Sequence, residues 1–236
     1  MQVHHIQRKI LNQLVYAPSL GYAQMRPAGV ESNHYAYHLD QLVREGLINK
    51  NERSYTLTAK GLALADRVSH DDMTVREQPH IITSIHITND AGQVLLYRHA
   101  FQPYLNLYGP PQGRLHAGER IAQAAARELT EKSSLTDVSL QHRGIAYVSA
   151  ARQGVPISTL LLHVFSGTVH GTPALAAPTR NGSCSWVDAA ELADAAYMPG
   201  YKEIAEQLRH GTGELFFIEI DTELAQAPDI APPNAN

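Results

Sequence analysis

The segment GRLHAGERIAQAAARELTEKSSL, Gly113–Leu135, decides the fold of the second half of this chain. Residues three and four apart share one helix face, so Glu128, Glu131 and position 132 converge on one patch. Carboxylates on such a patch hold hard cations such as Mg2+, which bridge a diphosphate and offset its charge as a P–O bond breaks. Lys132 instead places an ammonium on this patch, where it would repel a divalent cation.

The same segment resembles the Nudix box, the motif that defines the Nudix hydrolase family and reads G-x5-E-x7-R-E-U-x-E-E-x-G-U, with U a bulky aliphatic residue. Lys132 replaces the last glutamate of the motif and Ser134 replaces its glycine. A glycine at position 134 would permit a left-handed helix end, which serine adopts only with strain. The positions that match the motif are Gly113, Glu119, Arg127, Glu128, Leu129, Glu131 and Leu135.

The resemblance implies that Glu128 and Glu131 are metal ligands or the water-activating base of a pyrophosphohydrolase. It also implies that Arg127 and Glu119 tie the preceding loop to the helix, and that the cofactor of an active enzyme is Mg2+ or Mn2+. The family usually supplies another metal-binding glutamate from a later loop, but residues 138–187 contain no Asp or Glu. Three interpretations stay open: an active metal-dependent hydrolase, weak or altered catalysis, and a retained fold with an exposed acidic helix face and no cofactor.

The flanking sequence predicts an α/β domain. Alternating residues in IITSIHIT and the segment QVLLYRH predict two strands joined at NDAG, and further strands are predicted at 144–148, 159–169 and in LFFIEI. A helix is predicted from Gly200 to His210, and SWVDAAEL resembles the strand-to-helix return of the family. Together with the box helix, these elements imply the Nudix α/β/α sandwich with a mixed sheet.

Guanidinium groups bind phosphate oxygens bidentately, and aromatic rings in loops stack on bases. For each arginine a surface position without a ligand is the competing interpretation, and loop tyrosines also simply pack. The candidate ligand-binding residues of this domain are Arg98, Arg143, Arg152, Arg180, Tyr104 and Tyr108.

The first 70 residues have a different pattern. Apolar residues at helical spacing predict a first helix that ends before Pro18, a short helix at 22–26, and a third helix from Glu31 to Glu45. LINK and YTLT, joined by NERS, predict a β-hairpin, and a last helix is predicted from Ala59 to Val68. This order, with HLDQLVREGLI before YTLTAKGLALAD, resembles the winged helix-turn-helix domain of bacterial transcription regulators.

That resemblance implies that the third helix lies in the major groove of DNA while the hairpin contacts the backbone. The exposed side of the third helix carries no Arg or Lys in its first turns. Because phosphate contacts usually dominate the affinity for DNA, the alternative is that this domain is a dimerisation or protein-docking module. The candidate DNA-binding residues are Ser32, Asn33, His34, Tyr37, His38 and Gln41 on the helix, with Lys50 and Arg53 on the wing.

Composition and charge are those of a soluble two-domain protein. Residues 1–70 carry eight Lys or Arg and five Asp or Glu, a net +3, and the rest carry −7, which gives the formal charge of −4. We expect a winged domain at 1–70, a linker at 71–79, a Nudix-like domain at 80–221 and a disordered tail at 222–236. No apolar run approaches the roughly 20 residues that span a bilayer, so we expect no membrane partner. Cys184 is the single cysteine, which is compatible with a cytoplasmic protein.

Three functions follow. The first is a ligand-responsive, DNA-binding transcription regulator whose degenerate Nudix domain senses a nucleotide or sugar-phosphate metabolite; regulators with this pairing usually have the opposite domain order. The second is a hydrolase of nucleoside diphosphate derivatives such as ADP-ribose, and the third is a scaffold protein. A regulator that reads two half-sites would be a homodimer. The sequence identifies neither the ligand nor the operator.

Overall fold

The computed structural model describes residues 4–69, 78–188, 196–211 and 213–224. The chain divides into two compact units, residues 1–77 and residues 78–236. The end of the strand-to-helix return predicted in SWVDAAEL, and most of the predicted linker and tail, lie outside the described residues. No helix in the described ranges is both long and apolar enough to cross a membrane.

The first unit contains three helices and a small hairpin. They are α1 (His5–Val15), α2 (Ser32–Arg44), β1 (Ile48–Lys50), β2 (Tyr55–Leu57) and α3 (Ala59–Asp66). β1 and β2 pair antiparallel, and Leu20 adds an isolated bridge to Tyr55. The elements predicted from the sequence therefore occur in the predicted order, with one exception.

The short helix predicted at 22–26 is wrong, because this segment forms only a turn. The Met25 N–H donates to the Gly21 carbonyl at 3.3 Å, but the helical pattern does not continue. Pro27 explains the stop, since the residue before a proline is disfavoured in helical geometry. Assignment of the unit to the winged helix-turn-helix class stays a prediction.

The second unit is built on one mixed sheet. Its strands, in the described part of the chain, are β3 (His80–Asn89), β4 (Val94–His99), β5 (Tyr108–Gly109), β6 (Gln112–Arg114), β7 (Gln141–Arg152), β8 (Val155–Val169), β9 (Gly182–Val187) and β10 (Phe216–Glu223). The order is β10-β7-β8-β3-β4-β5, with β6 on β3 and β9 on β4. The pairs β3–β8 and β10–β7 are parallel, whereas the others are antiparallel. β10 extends into the segment predicted to be a tail, and Leu224 is buried.

Two helices cover opposite faces of this sheet, as the predicted α/β/α arrangement requires. They are α4 (Ile121–Ser133) and α5 (Tyr201–His210). Successive strand residues point to opposite faces, so Ile85 and Ile87 of β3 pack with α4, whereas Ile82 packs with α5. The Nudix-like box therefore contains most of β6, the loop that joins β6 to α4, and α4 itself.

Ser134 ends α4 in the left-handed conformation, with φ 64° and ψ 10°. Serine therefore adopts here the left-handed conformation that a glycine at this position would permit. Because a Cβ atom is disfavoured there, we expect Ser134→Gly to raise the free energy of unfolding by about 1 kcal/mol. Urea denaturation measures the change. Ser134→Ala keeps the Cβ atom and should not be stabilised, and equal stabilisation of both variants would contradict the strain argument.

His86 lies under α5, where its ring is parallel to that of Tyr201 at a centroid distance of 6.1 Å. Burial lowers the pKa of His86 to about 4. In the unfolded chain His86 binds a proton near pH 6.5, whereas in the folded domain it does so only near pH 4. Its contribution to the free energy of unfolding is therefore present above about pH 6.5 and is lost as the pH falls from about 6.5 to 4. We expect this residue to account for about 2 kcal/mol of the stability lost between pH 7 and 4.5. His86→Phe should flatten the pH dependence in chemical denaturation, and an unchanged slope would contradict the assignment.

Candidate functional site

The carboxylate of Glu128 is the buried centre of the box. Its side chain is only 8% exposed and lies directly against Gly113 of β6. A Cβ atom at position 113 would come within 1.7 Å of Glu128 Cδ, so only glycine leaves room for this carboxylate. The glycine at the start of the motif and the glutamate on its helix are thus one packing unit.

Arg127 ties the loop before α4 to the helix. Its Nε and Nη2 atoms donate to the two oxygens of Glu119 at 2.8 and 2.9 Å, and Nη2 also donates to the Arg114 carbonyl at 3.1 Å. The hydrogen bonds from Arg127, with one from the His116 N–H, lower the pKa of Glu119 to about 2. Arg127 also donates to Glu128 Oε1 at 2.6 Å, so the loop, the arginine and the central carboxylate form one network.

Lys132 occupies the other side of the Glu128 carboxylate. Its Nζ lies 2.5 Å from Glu128 Oε2, and the same ammonium lies 5.6 Å from the centre of the Tyr97 ring. Both oxygens of Glu128 are therefore engaged by cationic side chains of the same helix. Glu131 is 59% exposed, and its carboxylate lies 3.5 Å from Arg127.

These residues, in this arrangement, do not fit a divalent cation. A bound cation would need oxygen atoms that are free to ligate it, whereas Arg127 and Lys132 engage both oxygens of Glu128. The described part of the chain also contains no group of three or more His, Cys, Asp or Glu side chains placed to hold a metal. The assignment of Glu128 and Glu131 as metal ligands stays a prediction that would require this ion pair to open.

The arginines named from the sequence do not all lie together. Arg143 and Arg152 lie nine residues apart on β7, which separates them by roughly 30 Å along the strand. Arg143 donates to Ser166 at 3.4 Å, and Arg98 donates to the Asn106 side chain at 2.7 Å. Arg180 is exposed in the loop before β9.

The two candidate tyrosines lie near the end of β4. Tyr108 is in register with Arg98 across the β4–β5 pair, and the Tyr104 hydroxyl donates to Ser158 Oγ at 2.6 Å. The structure therefore brings Arg98, Tyr104 and Tyr108 into one region at this end of the sheet. Arg152 is close to the same region, because Ser158, the partner of Tyr104, pairs with Ala150 two residues before it, whereas Arg143 lies at the other end of β7. Their roles in ligand binding stay predictions.

Sequence reasoning missed two side chains near Lys132, those of Tyr97 and His99. Tyr97 and His99 lie on the face of β4 that also carries Leu95, which packs with α4. Cys184 is paired with Tyr97 across β4 and β9, and burial raises the pKa of its thiol to about 12, so this thiol is not a nucleophile at neutral pH. Because successive side chains of a strand point to opposite faces, residues 95, 97 and 99 share one face of β4, and this geometry could have indicated Tyr97 and His99.

A cleft of about 740 Å³ lies on the opposite face of the sheet, between β3, β4 and α5. His86, Tyr197 and Tyr201 line it, whereas the charged residues of the box do not. Because α4 and α5 cover different faces, this cleft is separate from the box network.

The candidate DNA-binding residues of the first unit differ in exposure. Ser32, Asn33, His34 and Tyr37 are exposed on α2, and Lys50 and Arg53 are exposed at the hairpin. His38 is half-buried, with its ring stacked on His4 at 4.2 Å, and Gln41 donates to the Tyr37 hydroxyl at 3.3 Å. The arrangement leaves DNA binding a prediction.

A family model described as the NUDIX domain matches residues 78–208, more than half of the chain. The chain therefore belongs to the Nudix family, as the box predicted. Among curated proteins, none matches the chain significantly.

Solved structures of Nudix proteins are similar to this fold. A mutator MutT protein from Bacillus halodurans superposes with a TM-score of 0.51 at 22% identity, covering 61% of this chain and 90% of that one. The NUDIX domain of Shewanella oneidensis NrtR, crystallised with ADP ribose, has a TM-score of 0.51 at 15% identity and covers 64% of this chain and 97% of its own. These likenesses concern the fold of the second unit alone.

Proposed function

We propose that the Nudix domain of this chain binds a phosphorylated nucleotide-type ligand without a divalent cation and without hydrolysing it. The observation that carries the proposal is the engagement of both Glu128 oxygens by Arg127 and Lys132. Hydrolysis in this family depends on carboxylates that hold a metal, and here the lysine supplies a fixed positive charge in its place. An ammonium can donate hydrogen bonds to phosphate oxygens, but it does not activate a water molecule.

The charge balance of the network supports binding over catalysis. Glu119, Glu128 and Glu131 carry three negative charges, and Arg127 and Lys132 carry two positive charges. Glutamate at position 132 would change this net charge from −1 to −3 and would require metal ions to admit an anionic ligand. With lysine, a phosphate group meets far less repulsion.

For the whole chain we propose a ligand-responsive transcription regulator. The order of α1, α2, the β1–β2 hairpin and α3, and the exposed polar side chains on α2, support a DNA-binding role for the first unit. Ligand binding would alter DNA affinity if it favoured one of two states of the protein, and the coupling would act equally in both directions.

A metal-dependent hydrolase is the second candidate, favoured by family membership and by the similarity to MutT. It requires Glu128 to exchange Lys132 for a cation. ADP-ribose is a suitable probe for both candidates because the NrtR Nudix domain, of similar fold, was crystallised with it.

The deciding experiment is calorimetric titration of the full chain with ADP-ribose, in EDTA and in Mg2+ or Mn2+, with products followed by chromatography. We expect binding in EDTA and no turnover under any condition. Turnover that requires metal and disappears in Glu128→Gln would overturn the proposal in favour of the hydrolase. Absence of both binding and turnover would leave the scaffold interpretation.

The regulatory part needs a separate test. Full-length protein is used to select sequences from a random duplex DNA library, and the affinity of the selected duplex is then measured with and without ADP-ribose. Asn33→Ala, on the exposed side of α2, should weaken binding to the selected sequence. Failure to enrich any sequence would overturn the DNA-binding role.

A further inference from the structure

His99 has an arrangement that packing alone does not explain. It is only 8% exposed, yet neither ring nitrogen has a hydrogen-bond partner among the described residues. Buried polar atoms in proteins are almost always paired, because each unpaired one carries the full cost of leaving water. An imidazole retained in such a position is therefore expected to meet a partner from outside the chain.

His99 lies beside the box network. It follows Tyr97 by two residues on the same face of β4, and the two rings are 5.0 Å apart. Lys132 lies over the ring of Tyr97. Lys132, Tyr97 and His99 therefore form a continuous row of side chains from Glu128 to the end of β4. Burial, aided by the charge of Lys132, lowers the pKa of His99 to about 4, which leaves one donor and one acceptor on the ring at neutral pH.

The loop that follows holds this ring in place. The His99 N–H donates to the Leu107 carbonyl at 3.0 Å, and the Asn106 N–H donates to the His99 carbonyl at 2.8 Å. The rings of Phe101 and Tyr104 stand edge-on to the imidazole at 5.7 and 5.9 Å. The backbone of His99 is thus fixed at the base of the loop, and its ring lies against the rings of Phe101 and Tyr104.

We infer that His99 is a ligand-binding residue of this Nudix domain and that it contacts an uncharged group of the ligand that both donates and accepts hydrogen bonds. The inference rests on the proposed function and deepens it. A neutral imidazole among aromatic rings suits a sugar hydroxyl or the edge of a base, whereas the diphosphate belongs beside the cation of Lys132. His99 and Lys132 would then recognise different parts of one nucleotide-type molecule.

The test uses His99→Phe in the full chain. Phenylalanine keeps a flat ring of similar size and removes both polar atoms, so packing is retained while the hydrogen-bonding capacity is lost. His86→Phe is the matched control, because it makes the same exchange in the same sheet but on the face that α5 covers. Affinities for ADP-ribose and for pyrophosphate are measured in EDTA, and melting temperatures are measured without ligand.

We expect His99→Phe to lower the affinity for ADP-ribose at least tenfold, to leave that for pyrophosphate unchanged, and to raise the melting temperature by about 3 °C. His86→Phe should leave both affinities unchanged. Ribose 5-phosphate, which has the sugar but no base, distinguishes the two candidate groups. If His99→Phe loses affinity for ribose 5-phosphate, His99 contacts the sugar; if the affinity is unchanged, His99 contacts the base.

Two results would overturn the inference while leaving the proposed function intact. One is equal ADP-ribose affinity of the wild-type protein and His99→Phe. The other is a lower melting temperature of the variant without ligand, which would mean that the ring nitrogens are already satisfied by buried water. Failure of the wild-type protein to bind ADP-ribose and pyrophosphate would overturn the proposed function itself, and the inference with it.

Discussion

Replacing Lys132 by glutamate is expected to change the box network from one of net charge −1 to one of net charge −3 that requires a metal ion. The substitution removes the ammonium that lies 2.5 Å from Glu128 Oε2 and puts a third carboxylate beside Glu128 and Glu131. Breaking a largely buried ion pair on one side costs about 3 kcal/mol, so Lys132→Glu should unfold at a lower urea concentration than the wild type in EDTA. Its affinity for ADP-ribose in EDTA should fall by at least tenfold.

Manganese should restore much of the stability that Lys132→Glu loses, whereas it should not stabilise the wild type. Stabilisation by a ligand that binds the folded state follows from its free concentration relative to its dissociation constant, so the melting temperature of Lys132→Glu should rise with Mn2+. Lys132→Gln is the matched control, since it removes the cation without adding a carboxylate. Equal responses of the wild type and Lys132→Glu to Mn2+ would contradict the role assigned to the lysine.

The second large effect is expected for Gly113→Ala. The added Cβ atom would lie 1.7–2.1 Å from the Cδ and oxygen atoms of Glu128, and the carboxylate cannot easily move because Arg127 and Lys132 hold both of its oxygens. We expect a loss of about 2–3 kcal/mol in the free energy of unfolding, measured by urea denaturation.

A double-mutant cycle identifies the cause of that loss. In a Glu128→Ala background the obstructing carboxylate is gone, so Gly113→Ala should cost little there. The same cost in both backgrounds would show that the alanine acts through the backbone of β6 and not through contact with Glu128.

The spacing of a few residue types was enough to predict much of this protein. Helical spacing predicted α4, and the resemblance to the Nudix box implied that Arg127 ties Glu119 of the preceding loop to this helix, which the structure shows. Alternation in IITSIHIT predicted β3, whose two faces pack on different helices.

The remaining features depend on contacts between distant parts of the chain. Burial of His99 requires the loop at 100–107 to fold back on β4, and the strand alone contains no signal for that. Arg143 and Arg152 are both phosphate candidates by residue type, but the length of β7 places them at opposite ends of one strand. The segment 22–26 was wrongly predicted as a short helix that ends at Pro27, because it is too short for the helical hydrogen bonds to continue beyond one turn.

The parallel pairing of β3 with β8 also bears on the order in which this domain can form. His80 pairs with Leu160, and Phe216 of β10 pairs with Gly144, so both parallel contacts join residues more than 70 positions apart. Contacts of such long range are slow to form and cannot exist on the ribosome until the later strand has emerged. The Gly113–Lys132 network is synthesised well before β8, yet β3, against which β6 and α4 pack, gains its parallel neighbour only afterwards. The charged network should therefore close late in folding, and substitutions within it should speed unfolding more than they slow folding.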